Sequence, residues 1–226
     1  MLNEADIAAL AITLKLALTS TLILLLLGTP LAWWLANSRG PLHSSIAAVT
    51  AMPLVLPPTV LGFYMLLLFS PDSPLGASWL ALTGDTLTFS FSGLVVASCI
   101  YSLPFMVQPL QGAFEALGRA PLEAAASLRA GPLDSFMNVV VPQCKRGFVT
   151  ASVLTFAHTI GEFGVVLMVG GNIPERTRVI SIAIYEHVET LNYAQAHTLA
   201  AGLLVFSFAV LLLVYAGNKR SPVRVA

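Results

Sequence analysis

PLEAAASLRAGPLDSFMNVVVP, residues 121–142, is an Ala-rich amphipathic stretch that carries Glu123, Arg129 and Asp134 between two long apolar segments. Everything around it reads as membrane-embedded. A soluble-looking insert in such a chain most simply exists to touch something outside the bilayer. Pro121 suits the first turn of a helix, where its missing N–H costs nothing. Glu123 follows in that turn, where the helix dipole favours a carboxylate. Ala124, Ala125, Ala126 and Leu128 are strong helix formers, and Gly131 with Pro132 is predicted to end the helix. A second amphipathic run then leads to Pro142. The stretch is thus predicted as helix, turn, helix, each piece too short to persist without packing. The bland alternative is a helix lying on the inner leaflet, but such helices are usually rich in Lys and Arg.

Composition supports the membrane setting. The chain has 226 residues, of which 57% are hydrophobic and 10% charged, where soluble domains carry roughly 25% charged residues. Mean hydropathy is +0.84. The formal net charge is zero, so no basic field invites nucleic acid. Cys99 and Cys144 fall at different depths and are expected as free thiols, with neither a disulfide nor a metal site. Lys15, Lys145 and Lys219 are each followed by a residue other than Ser or Thr, so there is no G-x-x-x-x-G-K-[ST] phosphate loop. No H-E-x-x-H or G-x-S-x-G motif appears either. The chain is expected to be no enzyme, to need no cofactor and to leave ATP hydrolysis to a partner.

Uncharged runs cover residues 16–38, 44–71, 86–114 and 198–218, and a fifth apolar segment, 148–169, is interrupted by His158 and Glu162. Each is long enough for the roughly 20 residues that cross the hydrocarbon. Without alternation they are helices rather than barrel strands. The expected fold is an all-α membrane protein with five spans, near 10–37, 44–69, 92–114, 148–170 and 197–217. Together these form one transmembrane domain over 10–216, and a short cytoplasmic tail follows at 217–226. A sixth helix within 77–91 stays open, although Gly76, Gly84 and Asp85 favour a re-entrant or surface segment. The first run is too long for a signal-peptide core and is read as a retained span. With the N-terminus outside and the C-terminus inside, Arg39, Arg119, Arg129, Lys145, Arg146, Lys219, Arg220 and Arg224 all fall inside, Arg176 and Arg178 fall outside, and Lys15 sits near the outer end of the first helix. That asymmetry sets the orientation.

Two segments could line a pathway. Pro53, Pro57 and Pro58 crowd the second span and force a kink, and Gly62 permits close approach. The fourth span holds Thr155, His158, Thr159, Gly161, Glu162 and Gly164. His158 and Glu162 are four apart on one helical face and can pair. Ionisable residues within a span suggest function; the competing readings are a packing kink for the prolines and, for His158 and Glu162, an internal hydrogen bond holding two helices together.

The insert resembles the importer-type, binding-protein-dependent ABC permeases. Their pattern is Glu-Ala-Ala, three residues, Gly, nine residues, then Ile-x-Leu-Pro. Glu123, Ala124 and Ala125 match its start, and Val139, Val141 and Pro142 match its end in register. Arg129 stands where the pattern has Gly, and Gly131 comes two residues late. Residues 54–62, 160–164, 171–178 and 182–189 are similar to the permease subunits of molybdate ABC importers. The resemblance implies a type I importer permease fold with a cytoplasmic coupling helix, and places the chain in a bacterial inner membrane. Glu123, Ala124, Ala125, Leu128, Arg129, Ala130, Gly131 and Pro142 would then dock on a cytoplasmic ATP-binding subunit dimer. It also implies a homodimer with the pathway on its two-fold axis, and a periplasmic or extracellular oxyanion-binding protein, which Arg176 and Arg178 would meet. Tungstate or sulfate remain open as cargo. The competing class is a stand-alone proton-coupled anion carrier with His158 and Glu162 as its relay.

Overall fold

In this computed structural model the protein is described over residues 3–218. Lys219, Arg220 and Arg224, with nearly all of the expected tail, lie outside the described residues. The first helix, α1 (Glu4–Asn37), starts on a reciprocal cap: the Asp6 N–H donates to Asn3 Oδ1 at 2.7 Å, and the Asn3 N–H donates to Asp6 Oδ2 at 3.3 Å. Helix α5 (Phe91–Leu117) starts at Ser90, whose Oγ accepts from the Gly93 N–H at 3.1 Å. These two long helices pack along their length through small residues. The Cys99 thiol of α5 reaches the Ser20 carbonyl of α1 at 3.8 Å, and a Cβ on Gly28 would lie 3.0 Å from Cγ of Met106. Lipid offers no hydrophobic drive between helices, so close approach of small side chains supplies the contact. Near the insert, Trp33 meets Phe114 and Phe136 edge-on, with ring centroids at 5.2 and 5.4 Å. Met106, Val107 and Leu110 fill the core beside them.

Every regular element among the described residues is helical. Three helices are long and apolar enough to cross a membrane, and two bent pairs raise the number to five if each counts as one span. The first pair is sharper than the kink the prolines predict. Helix α2 (Pro41–Ala51) runs through a 3-10 turn (Met52–Leu54) into α3 (Pro58–Phe69) with a bend of 110°. Pro57 and Pro58 bring no N–H to this junction. Pro57 takes ψ 135°, outside the helical region, and α3 restarts at Pro58. At 1.5 Å per residue the halves, Pro41–Leu54 and Pro58–Phe69, are roughly 21 and 18 Å long, so neither crosses the ~30 Å of hydrocarbon alone. Helix α4 (Pro74–Thr83) overlaps residues 77–91, the stretch open to a sixth span; its 10 residues also fall short of a crossing.

The insert departs from the expectation at its turn. Helix α6 (Ala120–Ser127) is followed by α7 (Pro132–Ser135), a π-helical turn (Phe136–Val140) and α8 (Val141–Gln143). The Arg129 N–H bonds the Ala126 carbonyl at 2.9 Å, and the Ala130 N–H bonds the Ala125 carbonyl at 3.1 Å. That pair of bonds is the Schellman closure, which requires a left-handed residue between them. The residue is Arg129, at φ 61°. Gly131, expected to end the helix, sits at φ −71° and ψ 166°, a conformation any residue adopts. Left-handed backbone costs a non-glycine residue about 1 kcal/mol or more. Arg129→Gly should therefore raise stability by about 1 kcal/mol, read as an upward shift of the thermal unfolding midpoint in detergent.

Helix α9 (Lys145–Gly161) crosses both α1 and α5, and α10 (Gly164–Gly170) packs on α3. Helix α11 (Ile180–Glu189) joins α1 through Thr13, whose Oγ accepts from the Ile180 N–H at 2.8 Å. Helix α12 (Tyr193–Asn218) is the least buried of the long helices.

Both cysteines are free. The Cys144 thiol donates to the Ala113 carbonyl at 3.5 Å, and burial pushes its pKa up from the ordinary thiol value. Only the thiolate is nucleophilic, so maleimide labelling of Cys144 near neutral pH should run at least about tenfold slower in the folded protein than after denaturation.

Candidate functional site

The break between α9 and α10 creates a cleft. α9 stops at Gly161, Glu162 adopts extended backbone at φ −68° and ψ 135°, and α10 restarts at Gly164 after a 61° bend. Of the residues singled out from the sequence, Pro58, His158, Gly161, Glu162 and Gly164 line this cleft together. Thr59 and Tyr101 line it too and were missed. Thr155 and Thr159 are buried behind it. Gly62 serves packing instead: a Cβ there would lie 2.8 Å from Cβ of Met168, so α3 and α10 touch backbone to backbone. Pro57 sets the corner before α3 and does not line the cleft.

His158 and Glu162 do not pair, contrary to the expectation from their spacing. That expectation assumed an unbroken helix, and the helix ends between them at Gly161. Each reaches across to α5 instead. Ser98 Oγ donates to Glu162 Oε2 at 2.9 Å, and Ser102 Oγ shares a hydrogen bond of 2.9 Å with His158 Nδ1. Ser102 also bonds Thr159 Oγ1 at 3.0 Å. The result is two polar rungs between packed helices, with His158 stacked on Phe105 at 3.8 Å between centroids. The sequence held a signal for the rungs: Ser98 and Ser102 are four apart within a long uncharged run, matching the spacing of 158 and 162. No Lys or Arg lines the cleft.

The residues chosen for docking form a second surface. Glu123, Ala124, Leu128, Arg129, Gly131 and Pro142 are exposed, Ala130 is half-buried, and Ala125 is buried beneath α6. Leu128 is 85% exposed, which is unusual for a leucine beside Glu123 and Arg129 on a charged surface. Arg176 and Arg178, the two arginines expected outside, bond within the chain. Arg178 donates to Asn172 at 2.6 Å and pairs with Glu186 at 3.0 Å, holding the loop against α11. Arg176 pairs with Asp85 at 3.3 Å, and both side chains are more than half exposed, a contact worth about 0–1 kcal/mol.

Residues 28–220 match the family described as the binding-protein-dependent transport system inner membrane component. The chain belongs to that family. This permease is 58% identical over 218 residues to the molybdenum transport system permease protein ModB of Azotobacter vinelandii, covering 96% of each chain. It is 32% identical over 223 residues to the sulfate transport system permease protein CysT of Escherichia coli K12, covering 99% of the permease and 80% of the relative. Its fold is similar to that of a bacterial alginate ABC transporter solved with an alginate-bound periplasmic protein. There the TM-score is 0.76 at 16% identity, covering 96% of the permease and 80% of the solved chain. The all-helical ABC-permease fold expected from the sequence therefore holds, and the permease is a transport component rather than an enzyme.

Proposed function

We propose that this chain is the membrane-spanning subunit of an ATP-driven oxyanion importer, with molybdate as its cargo. The observation that carries the cargo is the 58% identity, over 96% of both chains, to a molybdenum permease; at 30–35% identity both molybdenum and sulfate permeases occur. The character of the cleft supports the transport reading. Burying even one bare ion in a low-dielectric medium costs on the order of 20 kcal/mol before relaxation. A tetrahedral dianion therefore needs a wet, polar path. The cleft offers hydroxyls from Thr59 and Tyr101 and a broken backbone at 162–163, without a fixed cation. Such a path passes an anion but does not hold it tightly. Affinity belongs in a delivery protein outside, and a weak path suits release.

In this reading two copies meet around the path, the N-terminus faces outside, and the transmembrane domain spans 10–216. The segment 121–142 faces the cytoplasm and docks on a separate ATPase through Glu123, Ala124, Leu128, Arg129 and Pro142. Closure of two ATPase subunits moves the two inserts and swings the helices between inward- and outward-open states. Arg176, tied by one weak surface pair, is the outer arginine available to a delivery protein, whereas Arg178 is committed to its own loop. The proton-relay alternative has little to stand on, because His158 and Glu162 each end on a serine rather than on one another.

Uptake of radiolabelled molybdate into vesicles that hold the permease, its ATPase and the delivery protein tests the cargo. Unlabelled molybdate and tungstate should compete, while sulfate at the same concentration should leave uptake nearly unchanged. Equal competition by sulfate would overturn the assignment.

A further inference from the structure

The ends of α1 and α5 leave a polar cavity of about 360 Å³ between them, lined by Asn37 and Arg39 on one side and by Phe114, Glu115 and Arg119 on the other. Its floor is apolar and fixed. Phe114 is buried, with Trp33 edge-on at 5.2 Å and Phe148 at 5.8 Å between ring centroids. Its rim is basic. Arg39 and Arg119 are both exposed, and neither side chain makes a hydrogen bond or ion pair among the described residues. The carboxylate on the rim, Glu115, is engaged by the Gln111 amide, which donates to its Oε1 at 2.8 Å. Asn37 is pinned in place, because its amide donates to the Trp33 carbonyl at 2.9 Å. Trp33 and Trp34 stand in α1 just before Arg39, and such aromatic pairs mark the headgroup level of a bilayer. Arg119 also belongs to the insert. Its carbonyl accepts from the N–H groups of Leu122 and Glu123, each at 3.0 Å, and so opens α6. Asn37 and Arg119 line an adjoining cavity with Leu122, Glu123 and Ala126, so the space continues along the insert.

Two unpartnered guanidinium groups on one rim suit a phosphate, to which each can present a pair of parallel N–H donors. A free oxyanion needs the rim alone. The apolar floor and the position beside the tryptophans match a phosphate that arrives with a glycerol backbone and acyl chains. Basic pockets between membrane helices on the cytoplasmic side hold anionic headgroups in this way. The rim sets two arginines against one carboxylate, so a singly charged phosphodiester neutralises it. A zwitterionic headgroup brings its own ammonium and does not. We propose that Arg39 and Arg119 bind the phosphate of an anionic phospholipid of the inner leaflet, and that the seated lipid braces the joint between α5 and the insert. The choice of leaflet rests on the orientation proposed for the chain, whereas the lipid contact is independent of the cargo.

The test uses purified permease–ATPase complexes in nanodiscs made from equal amounts of phosphatidylcholine and phosphatidylglycerol, with native mass spectrometry reading the lipid each complex retains. Wild type should keep phosphatidylglycerol, and the double variant Arg39→Gln, Arg119→Gln should keep at least about tenfold less. Lys145→Gln removes a charge outside this cavity and should keep as much as wild type. Excess inorganic phosphate should leave the lipid in place. ATP turnover by wild type should fall about threefold or more in nanodiscs of phosphatidylcholine alone, and the double variant should run at that lower rate in both. Equal retention by wild type and double variant would overturn the site, and so would equal loss from Lys145→Gln, the mark of a general charge effect. Displacement of the lipid by inorganic phosphate would overturn it in favour of a free oxyanion. Loss of the ATPase subunit from the double variant would overturn it in favour of a contact with the motor. ATP turnover indifferent to phosphatidylglycerol would overturn the brace. Retention is read without cargo, so failure of wild-type molybdate uptake would count against the cargo alone.

Discussion

Leu128→Asp should leave the permease folded in the membrane and strip it of its ATPase subunit. Leu128 closes α6 and is 85% exposed, and Leu133 and Met137 further along the insert are 74% and 55% exposed. Exposed leucines on the long helices are ordinary, because lipid covers them. These three stand among Glu123, Arg129 and Asp134, where the surrounding surface is polar. Burying a leucine against a partner contributes about 1.5–3 kcal/mol, and forcing a carboxylate into the same pocket costs more still. A loss of 2 kcal/mol or more is typical of an interface hot spot and corresponds to about 30-fold or more in affinity. The side chain touches little of its own fold, so membrane insertion and yield should not change. Copurification in detergent reads the effect: the variant should arrive without ATPase and with ATP-driven uptake reduced at least about 30-fold. Full retention of the ATPase would show that this face docks nothing. Gly131 makes a useful companion position. A Cβ there meets nothing within 4 Å and its φ is ordinary, so a bulky residue at 131 can disturb only a partner.

Gly164→Ala should damage both stability and transport, whereas Gly161→Ala, three residues away on the same cleft, should not harm the fold. A Cβ on Gly164 would lie 2.7 Å from Cβ of Pro58. Neither atom is the loose end of a side chain, so α3 or α10 must shift. Overpacking of this kind costs about 1–3 kcal/mol. Pro58 and Gly164 are also two walls of the cleft, so the shift changes the path itself, and uptake should fall by about tenfold. At Gly161 nothing lies within 4 Å of the added Cβ. Alanine also favours the last turn of α9 by up to about 1 kcal/mol over glycine. Thermal melts and uptake measured side by side should separate the two variants. Equal melting midpoints would show that α3 and α10 pack more loosely than their geometry demands.

Much of the fold was legible because membrane chains obey blunt rules. Long uncharged runs must be helices, and the insert stood out as the charged, Ala-rich exception. What escaped was local. Arg129 takes the left-handed position because the Schellman closure follows the helix end, and α6 ends at Ser127, four residues before Gly131; a nearby glycine does not move that register. Three prolines announced a disturbed second span, but nothing in their spacing distinguishes a kink from a 110° turn. The His158–Glu162 pairing failed for the same reason: four-residue spacing has meaning only while the helix continues, and Gly161 and Gly164 were the sole hint that it stops. Ser98 and Ser102 were hidden by their ordinariness. Serine is common in apolar helices, and its role became visible only when α9 was laid against α5.

In the proposed mechanism an external motor drives this chain through its insert. The most direct measurement loads molybdate-binding delivery protein outside vesicles and follows radiolabelled molybdate inside them, with and without the ATPase subunit and ATP. Accumulation is expected only when permease, ATPase and ATP are all present, and should vanish with Leu128→Asp. Accumulation by the permease alone, without ATP, would contradict it.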